Sequence, residues 1–287
     1  MKKDRKRNKG TRTARFIISA IIGFILTIVL TAMTYMLGLY LGFFNEGLIL
    51  DHLNRNNYYN GVLAYTYDSG ESIALPIGLP AEVFEDAITL DMVYQDVRGY
   101  MEASFNGISY EVDTTQLQEN LAANVEAYTT GTGVVLTDEQ KNNVTEFTKQ
   151  IAADYTENVK MPFLSYFVKA KNFYTKILVI ALPVCLLVSL ALGAVIFRLY
   201  RFKHRALRFI TYSTIAAGFM SIILPAAVLF TRFYERLTIT PEYFYQFVST
   251  YVSKGIQAFL YLGAVWLVIS AGTIIATNLM RKSVLNS

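Results

Sequence analysis

Four stretches without a single charged residue dominate this chain: residues 16–44, 177–197, 209–230 and 256–280, with lengths of 29, 21, 22 and 25. A helix needs about 20 apolar residues to cross the hydrocarbon core of a bilayer. Each run therefore predicts a transmembrane helix. Composition agrees, because only 17% of the 287 residues are charged and the mean hydropathy is +0.34, whereas soluble domains carry about 25% charge. A purely cytosolic or disordered chain is excluded. The first run is far longer than the roughly 7–15 apolar residues of a cleaved signal peptide and has no A-x-A-like site close behind it. It reads as an uncleaved anchor.

The basic residues orient these spans. Residues 1–15 hold Lys2, Lys3, Arg5, Lys6, Arg7, Lys9, Arg12 and Arg15 against Asp4 alone. Residues 198–208 hold Arg198, Arg201, Lys203, Arg205 and Arg208 with no acid, and residues 281–287 add Arg281 and Lys282. Together these three segments carry a net +14, whereas residues 45–176 carry −11 and residues 231–255 carry +1. Lys and Arg accumulate on the cytoplasmic side of spans, so both termini are expected inside and residues 45–176 outside. Arg5, Lys6, Arg7, Arg198, Arg201, Lys203, Arg205 and Arg208 are read as membrane-surface contacts with lipid headgroups. Nucleic acid is not an expected partner, despite the basic pI of 8.9.

Residues 45–176 are long enough to form a domain, and three segments have helical period. Thr137-Asp-Glu-Gln140 is a capping box, followed on one face by Val144, Phe147, Ile151 and Tyr155. Asp113 or Thr114 can start a second helix, with Leu117, Leu121, Val125 and Tyr128 aligned and a stop near Gly131 and Gly133. A third runs from about Leu90 with Val93, Val97, Tyr100 and Met101 facing inward, and stops at Asn106-Gly107, a left-handed exit. Residues 58–80 fit either an extended strip or a helix. After Pro162 one helix is expected to enter the membrane. The fold class is thus an all-α membrane protein: four transmembrane helices with a mainly helical extracytoplasmic domain between the first and second. The cytoplasmic pieces are residues 1–15, 198–208 and 281–287, and residues 231–255 form a second outer loop.

Little in the sequence marks chemistry. The four runs contain no Asp, Glu, Lys, Arg or His, the groups that intramembrane proton relays and proteases require. His52 and His204 have no companions at metal-ligand spacing, Cys185 is alone and mid-span, and no cofactor is expected. Gly38-Leu-Tyr-Leu-Gly42 is a GxxxG pattern, which lets helices approach closely. Gly272 and Ala276 offer a matching small face in the fourth span. Glu82, Glu85 and Asp86 are candidate partner-facing acids, without the alternating ligands of a calcium loop. The second outer loop is rich in aromatic residues, including Tyr243, Phe244 and Tyr245. It is expected to serve partly as an interfacial belt, partly as packing for the outer domain and partly as a surface for a partner.

The leading functional expectation is a non-enzymatic protein of the plasma membrane. Its outer domain would bind a partner or ligand, as a sensor, regulator or scaffold. Besides the bilayer, a membrane-protein partner or a second copy of the chain is expected. The absence of outer cysteines favours a bacterial source. The order of one long span, a large outer domain and three further spans resembles the layout of FtsX and related transmembrane subunits of ABC-type machines. That resemblance implies an associated ATPase, although residues 198–208 are shorter than the segment where such ATPases dock. An oligomeric channel or transporter is the other alternative, lined by Thr27, Thr31, Thr34, Ser270, Thr273 and Asn278.

Overall fold

A computed structural model describes residues 2–133, 137–236 and 238–285, with side chains described from residue 12 to residue 283 outside those gaps. Among these residues the chain is all helical, and four helices are long and apolar enough to cross a membrane. In order, the α-helices are α1 (Lys2–Phe43), α2 (Glu46–Arg55), α3 (Tyr58–Ala74), α4 (Leu90–Phe105), α5 (Thr115–Gly131), α6 (Asp138–Val159), α7 (Leu164–Leu199), α8 (Lys203–Thr231) and α9 (Glu242–Leu285). The first charge-free run lies in α1 except for Phe44 just past its end, and the other three fall within α7, α8 and α9. Two compact units result: Met1–Asn45 with Asn172–Arg236 and Tyr251–Ser287, and Glu46–Lys171 with Leu237–Thr250.

In the apolar unit, contacts fix the helix directions. The pairs Phe16–Phe209, Gly23–Ser213 and Tyr35–Met220 advance together, so α1 and α8 are parallel. Trp266 Nε1 donates to Thr34 Oγ1 at 2.7 Å, while Gly42 lies against Gly255, so α9 runs the other way along α1. Tyr174 donates to the Met36 carbonyl at 2.8 Å and Ser189 approaches Met33, which makes α7 antiparallel as well. Leu26, Leu30, Ile196, Ala206 and Ala217 form the buried centre. Hydroxyls bind the helices to one another. Ser213 donates to the Gly23 carbonyl, Ser270 to Thr214 and Thr211 to Thr273, all within 2.9 Å. Such bonds hold helices where lipid removes the hydrophobic drive to associate.

The outside of this unit is strongly apolar. Val179, Ile180 and Leu187 on α7 are 67%, 70% and 66% exposed. Contiguous apolar surface on this scale marks a membrane or protein contact rather than a water-facing wall.

In the second unit, local chemistry sets the helix ends. Thr137 Oγ1 accepts from the Gln140 amide while the Gln140 side chain accepts from the Thr137 amide, completing the capping box of α6. Thr89 Oγ1 accepts from Met92 to start α4, and Gly107 (φ 70°) ends it. At α5, Asp113 accepts from the Thr115 amide at 3.0 Å, and hydrogen bonds from the Thr115 side chain first and its amide second hold the Asp113 carboxyl below its ordinary pKa. Val93, Val97, Met101, Leu117, Leu121, Ile151 and Tyr155 then meet with at most 1% exposure. Each such side chain contributes about 1.5–3 kcal/mol on leaving water.

Residues 58–74 prove to be helical. Their buried stripe is Tyr58, Val62, Thr66, Gly70 and Ala74, an unbroken i, i+4 series. Thr66 enters the core because its hydroxyl donates to the Val62 carbonyl at 2.9 Å. Pro162 separates two helices instead of bending one: α6 ends at Val159, Phe163 takes φ 64°, and α7 begins at Leu164.

Candidate functional site

A groove of about 720 Å³ opens on the second unit, lined by the end of α3, by α5 and by α6. Two turns shape it. Gly78 (φ 79°) reverses the chain after the short 3-10 turn Leu75–Ile77, and its amide donates to the Leu75 carbonyl. Gly133 (φ 74°) closes α5, while the Thr132 hydroxyl donates to the Tyr128 and Thr129 carbonyls. Val125 and Phe147 form an apolar floor, 1% and 4% exposed. Gln140, Asn143 and Gln150 bring side-chain amides to the rim, and Tyr128 brings an aromatic ring. Among the described residues the one charged lining residue, Glu146, pairs with Lys149 at 2.9 Å. The groove therefore suits an uncharged ligand that offers an apolar group to the floor and hydrogen-bonding groups to the rim.

Around the groove the acidic strap is fixed by its backbone. The Asn124 amide donates to the Val83 and Glu85 carbonyls at 3.0 and 2.8 Å. Phe84 packs on Phe147 and Tyr67 with ring centroids 6.2 and 6.4 Å apart. Glu82, Glu85 and Asp86 remain exposed on this strap. No group of three or more His, Cys, Asp or Glu residues suited to a metal occurs among the described residues.

Tyr243, Phe244 and Tyr245 belong to the second unit. The rings of Tyr243 and Phe247 meet Tyr58 at 5.1 and 5.6 Å. Gly61 is required there, since a Cβ on it would lie 2.2 Å from the Tyr243 Cβ. Phe244 is only 8% exposed. Tyr243 and Phe244 thus serve internal packing, because the aromatic density needed to anchor this segment coincides with that expected of a contact surface.

Of the four packing residues named from sequence, Gly38 and Gly42 face α9. A Cβ on Gly38 would lie 2.4 Å from the Phe259 ring, and one on Gly42 would lie 2.3 Å from the Gly255 carbonyl oxygen. Gly272 has open space around its Cβ position, and Ala276 is half-buried. The close partner of Gly42 is therefore Gly255, one residue before the stretch 256–280 read as the fourth span.

Arg201, Arg205 and Arg208 line a second cavity together with Arg12 and Arg15. Arg198 is exposed, and Lys203 lies over the Phe197 ring at 5.8 Å. For Arg5, Lys6 and Arg7 the side chains lie outside the described residues, although the backbone is helical. Sequence patterning missed both the groove and this cavity, because each joins short pieces of distant segments. The fold defines an all-helical chain with the four apolar helices of a multi-pass membrane protein. Comparison with protein-family models, curated proteins and solved structures found no match.

Proposed function

We propose that this is a non-enzymatic protein of the bacterial plasma membrane, with both termini in the cytoplasm. Its helical domain, residues 46–171 with 237–250, lies outside and binds a neutral ligand or partner segment in the groove. The observation that carries the reading is the groove itself: an apolar floor at Val125 and Phe147 beneath a rim of side-chain amides. Amides pair with other amides, so an extended peptide segment with one apolar side chain is the class favoured. The protein would then report or organise that segment as a sensor, regulator or scaffold.

Two features favour this reading over the alternatives. Only residues 200–202 separate α7 from α8, which leaves little for an ATPase to grip. Thr34 and Ser270, suggested as channel-lining groups, spend their hydroxyls on contacts between or within helices. Val144→Arg places a charge in the groove at a half-buried position and tests the proposal. The variant should reproduce the phenotype of a gene deletion at wild-type abundance and protease resistance. Full complementation would overturn the groove reading.

A further inference from the structure

At the end of the apolar unit where α1 and α8 begin and α7 ends, a cavity of about 600 Å³ is lined by Arg12, Arg15, Arg201, Arg205 and Arg208 and, among the described residues, by no acidic one. Among the described residues none of these five arginines forms an ion pair, whereas Arg55, Arg98 and Arg232 do. Five like charges around one space repel one another. The arrangement is stable where an anion compensates them.

A general excess of positive charge at a membrane surface does not account for the details. That excess asks only for Lys or Arg near the ends of spans, yet among the described residues every cation lining the cavity is arginine. Lys203, within the same basic stretch, is directed to Phe197 instead. A guanidinium presents a planar fork that holds two phosphate oxygens together, which an ammonium cannot do. The walls are rigid. Tyr200 stacks on Phe209 at 5.7 Å, Phe16 meets Phe209 edge-on at 5.7 Å, and Arg205 lies over Phe202 at 5.5 Å. The Phe202 ring thus orients the Arg205 fork before an anion arrives.

We infer that this cavity is a binding site for an anion bearing two phosphate groups. Arg12 and Arg15 would grip one phosphate from α1, and Arg205 and Arg208 the other from α8. Two sources supply that chemistry: the headgroup of a bisphosphate lipid in the inner leaflet, and a soluble diphosphate. Basic pockets between transmembrane helices on the cytoplasmic side suit the lipid source.

Native mass spectrometry of the full chain, released from a neutral detergent, tests this with cardiolipin, phosphatidylcholine and inorganic pyrophosphate as separate probes. Wild type should retain cardiolipin and shed phosphatidylcholine. Arg12→Gln with Arg15→Gln, and separately Arg205→Gln with Arg208→Gln, should each weaken retention by about tenfold or more, as expected for loss of charge-assisted bidentate bonds. Arg205→Lys with Arg208→Lys keeps the charge and should also weaken it, whereas Arg198→Gln with Lys203→Gln should not. Pyrophosphate that binds wild type and displaces cardiolipin assigns the soluble source; cardiolipin retained without pyrophosphate binding assigns the lipid. Equal retention by wild type and both glutamine pairs would overturn the site, as would binding of neither phosphate probe.

Discussion

The carboxylate of Asp96 on α4 accepts the phenolic hydrogen of the fully buried Tyr155 on α6 at 2.6 Å. Its other oxygen accepts from Tyr110 at 3.1 Å. One acid thus ties two helices and the segment between α4 and α5. Asp96→Ala would strand the Tyr155 hydroxyl in the core, at a cost of about 1–3 kcal/mol. Asp96→Asn keeps an acceptor and should cost less. Proteolysis of the full chain during thermal unfolding checks the order wild type, Asn, Ala.

Alkali should loosen the same unit. Burial first, and the hydrogen bond to Asp96 second, push the Tyr155 pKa upward; burial also moves Tyr59 and Tyr243 to about 12. An unfolded tyrosine ionises near pH ~10. The folded chain therefore holds these protons longer than the unfolded chain. Their stabilisation is complete below pH ~10 and disappears as the pH rises through the folded values. The tyrosinate absorbance that belongs to Tyr155, read as the difference between wild type and Tyr155→Phe, should appear together with loss of helix, not before it.

Gly42 and Gly272 should respond in opposite ways. Gly42→Leu drives a side chain into the Gly255 backbone and should separate α1 from α9, lowering detergent stability and shifting the emission of Trp266, the sole tryptophan. Gly272→Ala meets open space and should be neutral or slightly stabilising, since alanine favours helix by about 1 kcal/mol over glycine. Equal behaviour of the two variants would remove the close-packing role assigned to Gly42.

The approach of Gly61 to Tyr243 predicts a third effect. Gly61→Val should release residues 237–250 from Tyr58 and speed tryptic cleavage at Arg236, leaving cleavage at Arg98 less affected.

The spans and the helices α4, α5 and α6 were legible because their signals are local: uncharged length, caps and an apolar period. Helix α3 was ambiguous because Thr66, Gly70 and Ala74, three of the five residues in its buried series, are small or polar. Nothing in the sequence singles out Asp96, because only the fold brings Tyr155 and Tyr110 to it. The groove and the arginine cavity depend on tertiary proximity, which hydrophobic periodicity does not encode. Gly42 was recognisable as a packing residue, but its partner Gly255 was not, because a single glycine beside Lys254 has no GxxxG companion to mark it.

Sidedness is the central claim, because it makes the groove an outward-facing site and the arginine cavity an inward-facing one. Replacing Cys185, the only cysteine, by alanine allows single thiols to be placed at Glu126 and Lys203 of the full chain in intact cells. A membrane-impermeant maleimide should label the thiol at position 126 directly and the one at position 203 only after permeabilisation. The reverse pattern, or equal labelling of both in intact cells, would contradict the account.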